Sequence, residues 1–275
     1  MKHILVAIEQ VSNIKGMLQK ALKFNPEKIT ILLFLADKDN NFDANQLLES
    51  IQNVGHKSCE TEVINAYALT VDDKSKELNA VLVKQQIDTV FLFRPHFKDQ
   101  ELDFSFIKAT LKSTLKTPIF LCGDNKWRKE MKLLATIDIL DDSNDQQILN
   151  ENVLETAAGL SEQSHIAVDV LSVIPISSFK KELDITDEHT VLAREGEATK
   201  NALETYVKTS NKLTDYICHV AAGTPASEIT SVASKIKANV VIMGSVGRTG
   251  LTGLVIGNTA EKILKRLTVD TLIVS

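Results

Sequence analysis

The feature that most constrains the fold of this 275-residue chain is an internal repeat. Three pairs of short segments share an apolar run with similar flanking residues, and the pairs follow one another in the same order at similar spacing. The pairs are residues 2–9 with 132–138, 88–93 with 238–243, and 117–122 with 270–275. A repeat of this length predicts two copies of one folding unit.

A polar stretch, residues 123–130, lies between the two copies. We therefore predict two domains, residues 1–127 and 128–275. Each copy is long enough to bury a hydrophobic core of its own, and the whole chain is long for a single core.

The second copy has the pattern of strands that alternate with helices. Unbroken apolar runs predict five strands, at residues 133–137, 167–174, 216–221, 240–243 and 271–274. Residues 150–160, 226–236 and 259–267 have helical spacing, and the charged segment 187–209 predicts a further helix over the sheet edge. Together these predict an α/β fold with two tandem doubly wound, Rossmann-like domains, each a parallel sheet with helices on both faces.

Composition and charge narrow the class of function. A net charge of −5 argues against nucleic-acid binding, which needs a concentrated basic patch. No apolar run is long enough to span a bilayer, and Glu9 interrupts the N-terminal segment too early for a secretory signal. The three cysteines are scattered, which is typical of small buried side chains in a reducing compartment. We expect a cytoplasmic protein.

A glycine-rich loop is the strongest candidate for a binding site. Residues 244–261 hold five of the eleven glycines, without a phosphate-loop lysine or dinucleotide spacing. The loop follows the fourth predicted strand, and ligands of open parallel sheets bind beyond the carboxyl ends of strands. Glycines and the start of the next helix supply backbone N–H groups that can bind phosphates. Asp138, at the end of the first strand, can bind a ribose.

Each part of this loop also has a structural interpretation. Asn258 with Glu261 three residues later has the pattern of a helix capping box. Gly250 and Gly253 can supply flexibility alone, and Asp138 can be an ordinary turn residue. The combination favours a ligand, because a long ordered loop costs conformational entropy.

The loop and its surroundings resemble the universal stress protein family, specifically its tandem, UspE-like members. The family's nucleotide-binding members carry G-x2-G-x9-G followed by Ser or Thr, and Gly244, Gly247 and Gly257 have this spacing. Further similarity lies in "GTPASEI" at residues 223–229, "VVIMGSVGRTGL" at 240–251 and the terminal "TLIVS". The resemblance covers both copies and is more specific in the second.

The resemblance implies the strand order 3-2-1-4-5 in each domain and an ATP site, with or without magnesium, in the second. Asp138 would bind the ribose, Val173 would pack on the base and Gly244 would approach the ribose. Four residues would hold the phosphates: Gly247, Gly257, Asn258 and Thr259. Asn258 stands where binders usually have a hydroxyl residue, although its amide can still donate a hydrogen bond.

The first copy departs from this pattern. Its carboxylate is Glu9, and residues 92–111 contain no glycine and begin with Arg94 in the place we assign to Gly244. We interpret this copy as a site that is lost or converted, in which Arg94, His96 and Lys98 can bind another anion or simply be solvated.

These observations favour a non-catalytic protein that binds a small ligand, with one ATP site in the second domain. The loop has no evident base or nucleophile, and Arg248 is its one cation, although the resemblance leaves weak ATP hydrolysis open. The alternative is a binder of another ligand, or an interaction scaffold that keeps the fold. The resemblance also implies that the short apolar fifth strands pair as an internal pseudo-dimer, with a homodimer as a further option. We expect no metal site.

Overall fold

The computed structural model describes residues 1–35, 59–94, 105–113, 117–128, 130–164, 166–176, 187–245 and 258–275. Within these residues the chain forms two compact units, and the division falls between Asp124 and Asn125. Each unit is described by itself.

The first unit is a five-stranded parallel sheet in the order β3-β2-β1-β4-β5. Its strands are β1 (His3–Ile8), β2 (Lys28–Leu35), β3 (Glu60–Tyr67), β4 (Thr89–Phe93) and β5 (Ile119–Cys122). Its described helices are a 3-10 turn (Val11–Asn13), α1 (Ile14–Leu22), α2 (Val71–Lys84) and α3 (Ser105–Ser113).

Aromatic packing fills the centre of this unit. Phe91 on β4 stacks on Phe120 on β5 with ring centroids 4.5 Å apart, and Phe24 after α1 contacts both rings edge-on. All three side chains are completely buried. Such pairs add about 0.5–1.5 kcal/mol each to the gain from burial, so they hold α1 against the central strands.

The second unit repeats the architecture, with the order β8-β7-β6-β9-β10 and all strands parallel. Its strands are β6 (Leu133–Thr136), β7 (Val168–Pro175), β8 (Tyr216–Gly223), β9 (Val240–Gly244) and β10 (Asp270–Val274). Its described helices are α4 (Asn144–Ser164), α5 (Glu188–Ser210), α6 (Pro225–Ile236) and α7 (Asn258–Arg266).

Helix ends in the second unit follow local sequence signals. The Asp187 side chain accepts a hydrogen bond from the Thr190 N–H and caps α5, and Asn211 ends the helix with a left-handed backbone. Pro225 occupies the first turn of α6, where its missing N–H costs nothing. Right-handed crossovers then place α4 and α5 on one face of the sheet and α6 and α7 on the other.

The predicted fold class is confirmed, since each unit is a doubly wound parallel sheet in the order 3-2-1-4-5. The domain limits 1–127 and 128–275 remain a proposal. Trp127 and Arg128 hydrogen-bond to Asp270 and to the Lys237 carbonyl, both in the second unit. No helix in the described ranges has the length and apolar character needed to cross a bilayer.

Candidate ligand site at the carboxyl edge of the second sheet

Asp138 lies just beyond the carboxyl end of β6, the central strand of the second unit. After β6 the chain adds β7 and then β8 on one side of this strand, and it later returns to the other side of β6 as β9. Helices therefore cover opposite faces on the two sides of β6, which leaves a crevice at the strand end. The Asp138 side chain is exposed in this crevice.

A buried asparagine fixes the backbone of Asp138. The Asn150 carboxamide on α4 accepts a hydrogen bond from the Asp138 N–H at 3.1 Å and donates one to the Asp138 carbonyl at 2.7 Å. Asn150 is 1% exposed, and it is held in turn by Gln146 and by the Tyr206 hydroxyl of α5. Sequence reasoning missed this residue, because an asparagine in a helical pattern is usually interpreted as facing solvent.

One carboxylate oxygen of Asp138 already has a partner in the protein. Its Oδ1 accepts a hydrogen bond from the Leu140 N–H at 3.0 Å, which is the local turn typical of aspartate. Within the described ranges the other oxygen accepts no hydrogen bond. The turn and ligand interpretations are therefore compatible, because the turn orients the carboxylate and leaves one oxygen for a ligand.

Val173 lies near the carboxyl end of β7, beside Ala221 of β8, and is partly exposed. The neighbouring Ile174 packs with Val191 of α5, so Val173 points to the opposite face of the sheet. It offers an apolar surface one strand away from Asp138.

Gly244 ends β9 and is needed for helix packing. A Cβ atom built on Gly244 would lie 2.5 Å from Leu149 Cγ on α4, closer than any real contact. This glycine therefore lets α4 approach the sheet, whether or not a ligand is bound.

Ser245, at the entrance to the glycine loop, is only 6% exposed. Its N–H donates to the Val274 carbonyl, but its hydroxyl has no hydrogen-bond partner among the described residues. A buried hydroxyl without a partner costs about 1–3 kcal/mol, which makes Ser245 a candidate for contact with a ligand. Sequence reasoning did not select Ser245.

The rest of the predicted phosphate site is only partly described. Gly247 and Gly257 lie outside the described residues, as does the loop between them. Asn258 and Thr259 begin α7, and their side chains also lie outside the described part. Their roles remain predictions.

A second glycine shapes the neighbouring strand end. Gly223 ends β8 at φ +151°, and a Cβ atom there would lie 2.7 Å from Glu228 Oε1 of α6. The "GTPASEI" segment thus lets the Glu228 side chain fold back toward the carboxyl edge of the sheet.

The equivalent edge of the first unit contains an ion pair. Glu9 follows β1 as Asp138 follows β6, and Lys74 Nζ on α2 lies 2.6 Å from Glu9 Oε1. Lys74 occupies the place of Glu228, since each residue's N–H bonds to the carbonyl of the threonine four residues earlier. The residue at this helix position thus has opposite charge in the two units.

Strand register corrects the predicted position of Arg94. Phe93 pairs with Cys122 of β5 as Gly244 pairs with Val274 of β10, so Phe93 and not Arg94 stands in the place of Gly244. The sequence alignment was wrong by one residue, because apolar runs match equally well after a shift by one.

Arg94 instead occupies the place of Ser245, and both residues donate their N–H to the fifth strand of their unit. Arg94 is 1% exposed, so its side chain is part of the interior and not a solvated charge. His96 and Lys98, the other two predicted anion ligands, lie outside the described residues.

The cysteines behave as small apolar side chains. Cys122 and Cys218 are buried, and burial raises the pKa of the Cys218 thiol to about 11. Cys59 is partly exposed, and burial is also the main reason that its pKa is raised. Within the described ranges, no group of His, Cys, Asp and Glu side chains has the arrangement of a metal site.

Comparison with known proteins gives the family. The universal stress protein family model matches residues 141–275. The universal stress protein E homolog of Haemophilus influenzae is 23% identical over 98% of this chain and 96% of its own length. The crystal structure of a universal stress protein from Archaeoglobus fulgidus matches 99% of this chain and 98% of its own, with a TM-score of 0.66 and 17% identity.

A shorter universal stress protein from Archaeoglobus fulgidus, solved in complex with dAMP, matches 54% of this chain and all of its own, with 15% identity. Its TM-score is 0.37, and this match carries no conclusion about which ligand the present chain binds. The matches that cover almost the whole chain, together with the repeated sheet, agree with the resemblance found in the sequence. Residues 141–275 belong to the universal stress protein family, and the whole chain, with its repeated unit, is similar to universal stress protein E.

Proposed function

We propose that the second unit binds one ATP molecule per chain and that this protein is a ligand-binding member of the stress response. The observation that carries the proposal is the exposed Asp138 carboxylate at the end of the central strand, held in place by the buried Asn150. A fixed carboxylate with one oxygen available is suited to accept hydrogen bonds from both hydroxyls of a ribose.

The rest of the proposed site follows from the strand ends around Asp138. Val173 supplies an apolar surface for the base, and Ser245 leads into the loop where Gly247 and Gly257 would turn N–H groups toward the phosphates. The start of α7, at Asn258 and Thr259, would add its unpaired N–H groups and the positive end of its dipole. Magnesium would accompany the phosphates.

We propose binding without dedicated catalysis. The glycine loop contains Arg248 as its one cation and no residue suited to activate water. Weak ATP hydrolysis is compatible with this proposal, and phosphate release from purified protein measures it directly.

Isothermal calorimetry with ATP and magnesium tests the proposal. We expect one site per chain, and Asp138→Ala should weaken binding by about 1–3 kcal/mol through lost charged hydrogen bonds. Asp142→Ala, an exposed aspartate in the same turn, is the matched control and should bind as the unchanged protein does. Two equivalent sites, or equal binding by the Asp138→Ala protein, would show that the site is misplaced.

The second candidate function is a scaffold, or a binder of another ligand, without ATP. Gly244 and Asp138 each have a structural role, in helix packing and in a turn, so both can persist without a nucleotide. Asn258 in place of a hydroxyl residue also favours this candidate. Mass spectrometry of small molecules released from the purified protein separates the two, and an Asn258→Ser protein that gains ATP binding would identify the cause.

A further inference from the structure

The edge strand of the second unit, β8, has one unpaired side. No described strand lies beyond it, and β7 is its neighbour on the other side. Val168 of β7 is aligned with Tyr216 and donates its N–H to the Asp215 carbonyl, so the odd-numbered residues of β8 bond to β7. The N–H and C=O groups of Tyr216, Cys218 and Val220 therefore point away from the sheet, and no described residue bonds to them.

A groove of about 640 Å³ runs along this unpaired side. Its floor is the start of β8, at residues 216–218, and its wall is an exposed stripe of α5 that includes Lys200, Glu204, Thr205 and Lys208. An unpaired strand edge is a template on which a further strand can form. A groove with main-chain donors and acceptors along its floor therefore favours an extended peptide that adds to the sheet.

A second copy of this chain does not fit this edge by strand pairing. α5 packs mainly over β8, so an antiparallel pair of β8 strands about a twofold axis would carry both α5 helices on the same face. The helix axes would then lie about 4.8 Å apart, whereas packed helices need about 8–10 Å. A twofold parallel pair would align each outward-pointing residue with its own copy, which a parallel ladder does not allow. A peptide without a covering helix avoids both conflicts.

The charges of the groove select one side of the peptide. Lys200 and Glu204 form an exposed ion pair at 3.8 Å, whereas Lys208 has no ion-pair partner among the described residues. With two lysines and one glutamate, the α5 wall is locally basic in a chain of net charge −5. An acidic side chain on this side of the peptide can pair with Lys208 without breaking an existing contact.

The other face of the edge offers an apolar contact. Ile217 is aligned with Asp169 of β7, on the face away from α5, and it is 55% exposed. The Asp169 carboxylate is already hydrogen-bonded to His219 at 2.5 Å, which leaves Ile217 as the available contact. Since side chains of a strand alternate between faces, a peptide with an acidic residue toward α5 would place its two neighbours toward Ile217.

We propose that β8 binds an extended peptide segment of another protein as an added strand. An acidic side chain of this segment pairs with Lys208, and apolar side chains on the other face contact Ile217. The proposal does not depend on ATP binding, since it uses the amino half of β8 and the exposed face of α5.

Amide hydrogen exchange by NMR on the full-length chain tests the proposal with three capped peptides. The first is Thr-Val-Glu-Val-Thr-Val-Ser, the second has Lys in place of Glu, and the third is the first with every main-chain amide N-methylated. We expect the first peptide to slow exchange at Tyr216, Cys218 and Val220. Exchange at Ile217 and His219, which already bond to β7, should stay as it is. The N-methylated peptide should protect none of them.

A charge reversal tests the preferred side chain. Lys208→Glu should weaken binding of the first peptide about three- to fivefold, as expected for one exposed ion pair, and should make the lysine peptide the better ligand. Lys235→Glu makes the same charge change at an exposed position on α6 and should leave the preference unaltered.

Three results would overturn the proposal: no protection of β8 by either unmethylated peptide, equal binding of the N-methylated peptide, or the same preference in both variants. Protection of the same amides on raising the protein concentration without peptide would assign this edge to a second copy, and it would overturn the proposal as well.

Discussion

The carboxyl edges of the two sheets share a backbone and differ in the side chains that face the central strand. Each begins with a carboxylate, Glu9 or Asp138, directly after the central strand. In the first unit Lys74 neutralises it, whereas in the second unit Glu228 occupies the equivalent place and the carboxylate has no cation from this position.

The fourth strands add a second difference. Phe93 and Arg94 lie at this edge of the first unit. In the second unit Gly244 allows the contact with α4, and the Ser245 hydroxyl has no hydrogen-bond partner among the described residues. A repeated fold thus keeps its backbone while opposite charges and side-chain sizes give its two edges different side-chain chemistry. The predictions below test that contrast.

The largest expected difference in stability comes from placing the same side chain, valine, at the equivalent ends of β4 and β9. Gly244→Val forces a branched side chain into Leu149, and overpacking of this kind costs about 1–3 kcal/mol of unfolding free energy. Phe93→Val removes atoms from a partly exposed site and should cost less. Denaturant unfolding of both proteins measures the difference, and equal losses would mean that Leu149 moves aside without strain.

The next effect concerns the support of Asp138. Asn150→Ala removes both hydrogen bonds to the Asp138 backbone and should lower the unfolding free energy by about 2 kcal/mol. Asn152→Ala, on the same helix, loses one exposed hydrogen bond to the Ser275 carbonyl and serves as the control. If ATP binds, its affinity should fall in the first protein and stay constant in the second. A stable Asn150→Ala protein would contradict the positioning role.

Charge at the first edge should have a smaller effect. Lys74→Glu gives that edge the acidic character of the second unit and places two carboxylates together. The unfolding free energy should fall by about 1 kcal/mol and no more, because Glu9 is partly exposed to solvent. A protein that carries both Lys74→Glu and Glu9→Lys should regain most of the lost unfolding free energy. A double-mutant cycle by denaturant unfolding measures the coupling, and additive effects would show that the pair contributes nothing.

Much of the fold was predictable from the sequence, and the predictions that were wrong or missing have physical causes. The helix predicted at residues 187–209 is present as α5, because the capping aspartate and the helical spacing are local signals. The register of Arg94 was wrong because an apolar run carries no marker of which residue pairs with the next strand. The roles of Asn150 and Lys74 depend on contacts between elements far apart in sequence, which residue type alone does not reveal.

The smallest effect should appear at the opposite, amino edges of the two sheets. His3 begins β1, and the equivalent position before β6 is the exposed Lys132, since both carbonyls accept a hydrogen bond from the residue before the fourth strand. Burial, with a contribution from Lys28, lowers the pKa of His3 below its usual 6.5. A hydrogen bond to the Gln86 backbone and the charges of Asp88 and Glu62 oppose this effect more weakly. The folded first unit therefore prefers the neutral imidazole, which hydrogen-bonds to Thr30.

The sign of the pH dependence follows from this preference. Above pH 6.5 both states hold a neutral His3, and its contribution to stability is complete. As the pH falls through 6.5 the unfolded chain takes up the proton before the folded one does, so stability is lost until the folded-state pKa is passed. Amide hydrogen exchange of β1 and β2 between pH 8 and 5, after correction for the intrinsic exchange rates, should report this loss. His3→Gln should reduce it, whereas His189→Gln, at an exposed position on α5, should not. If β6 and β7 lose protection in step with β1 and β2, the acid sensitivity belongs to the whole chain and His3 is not its source.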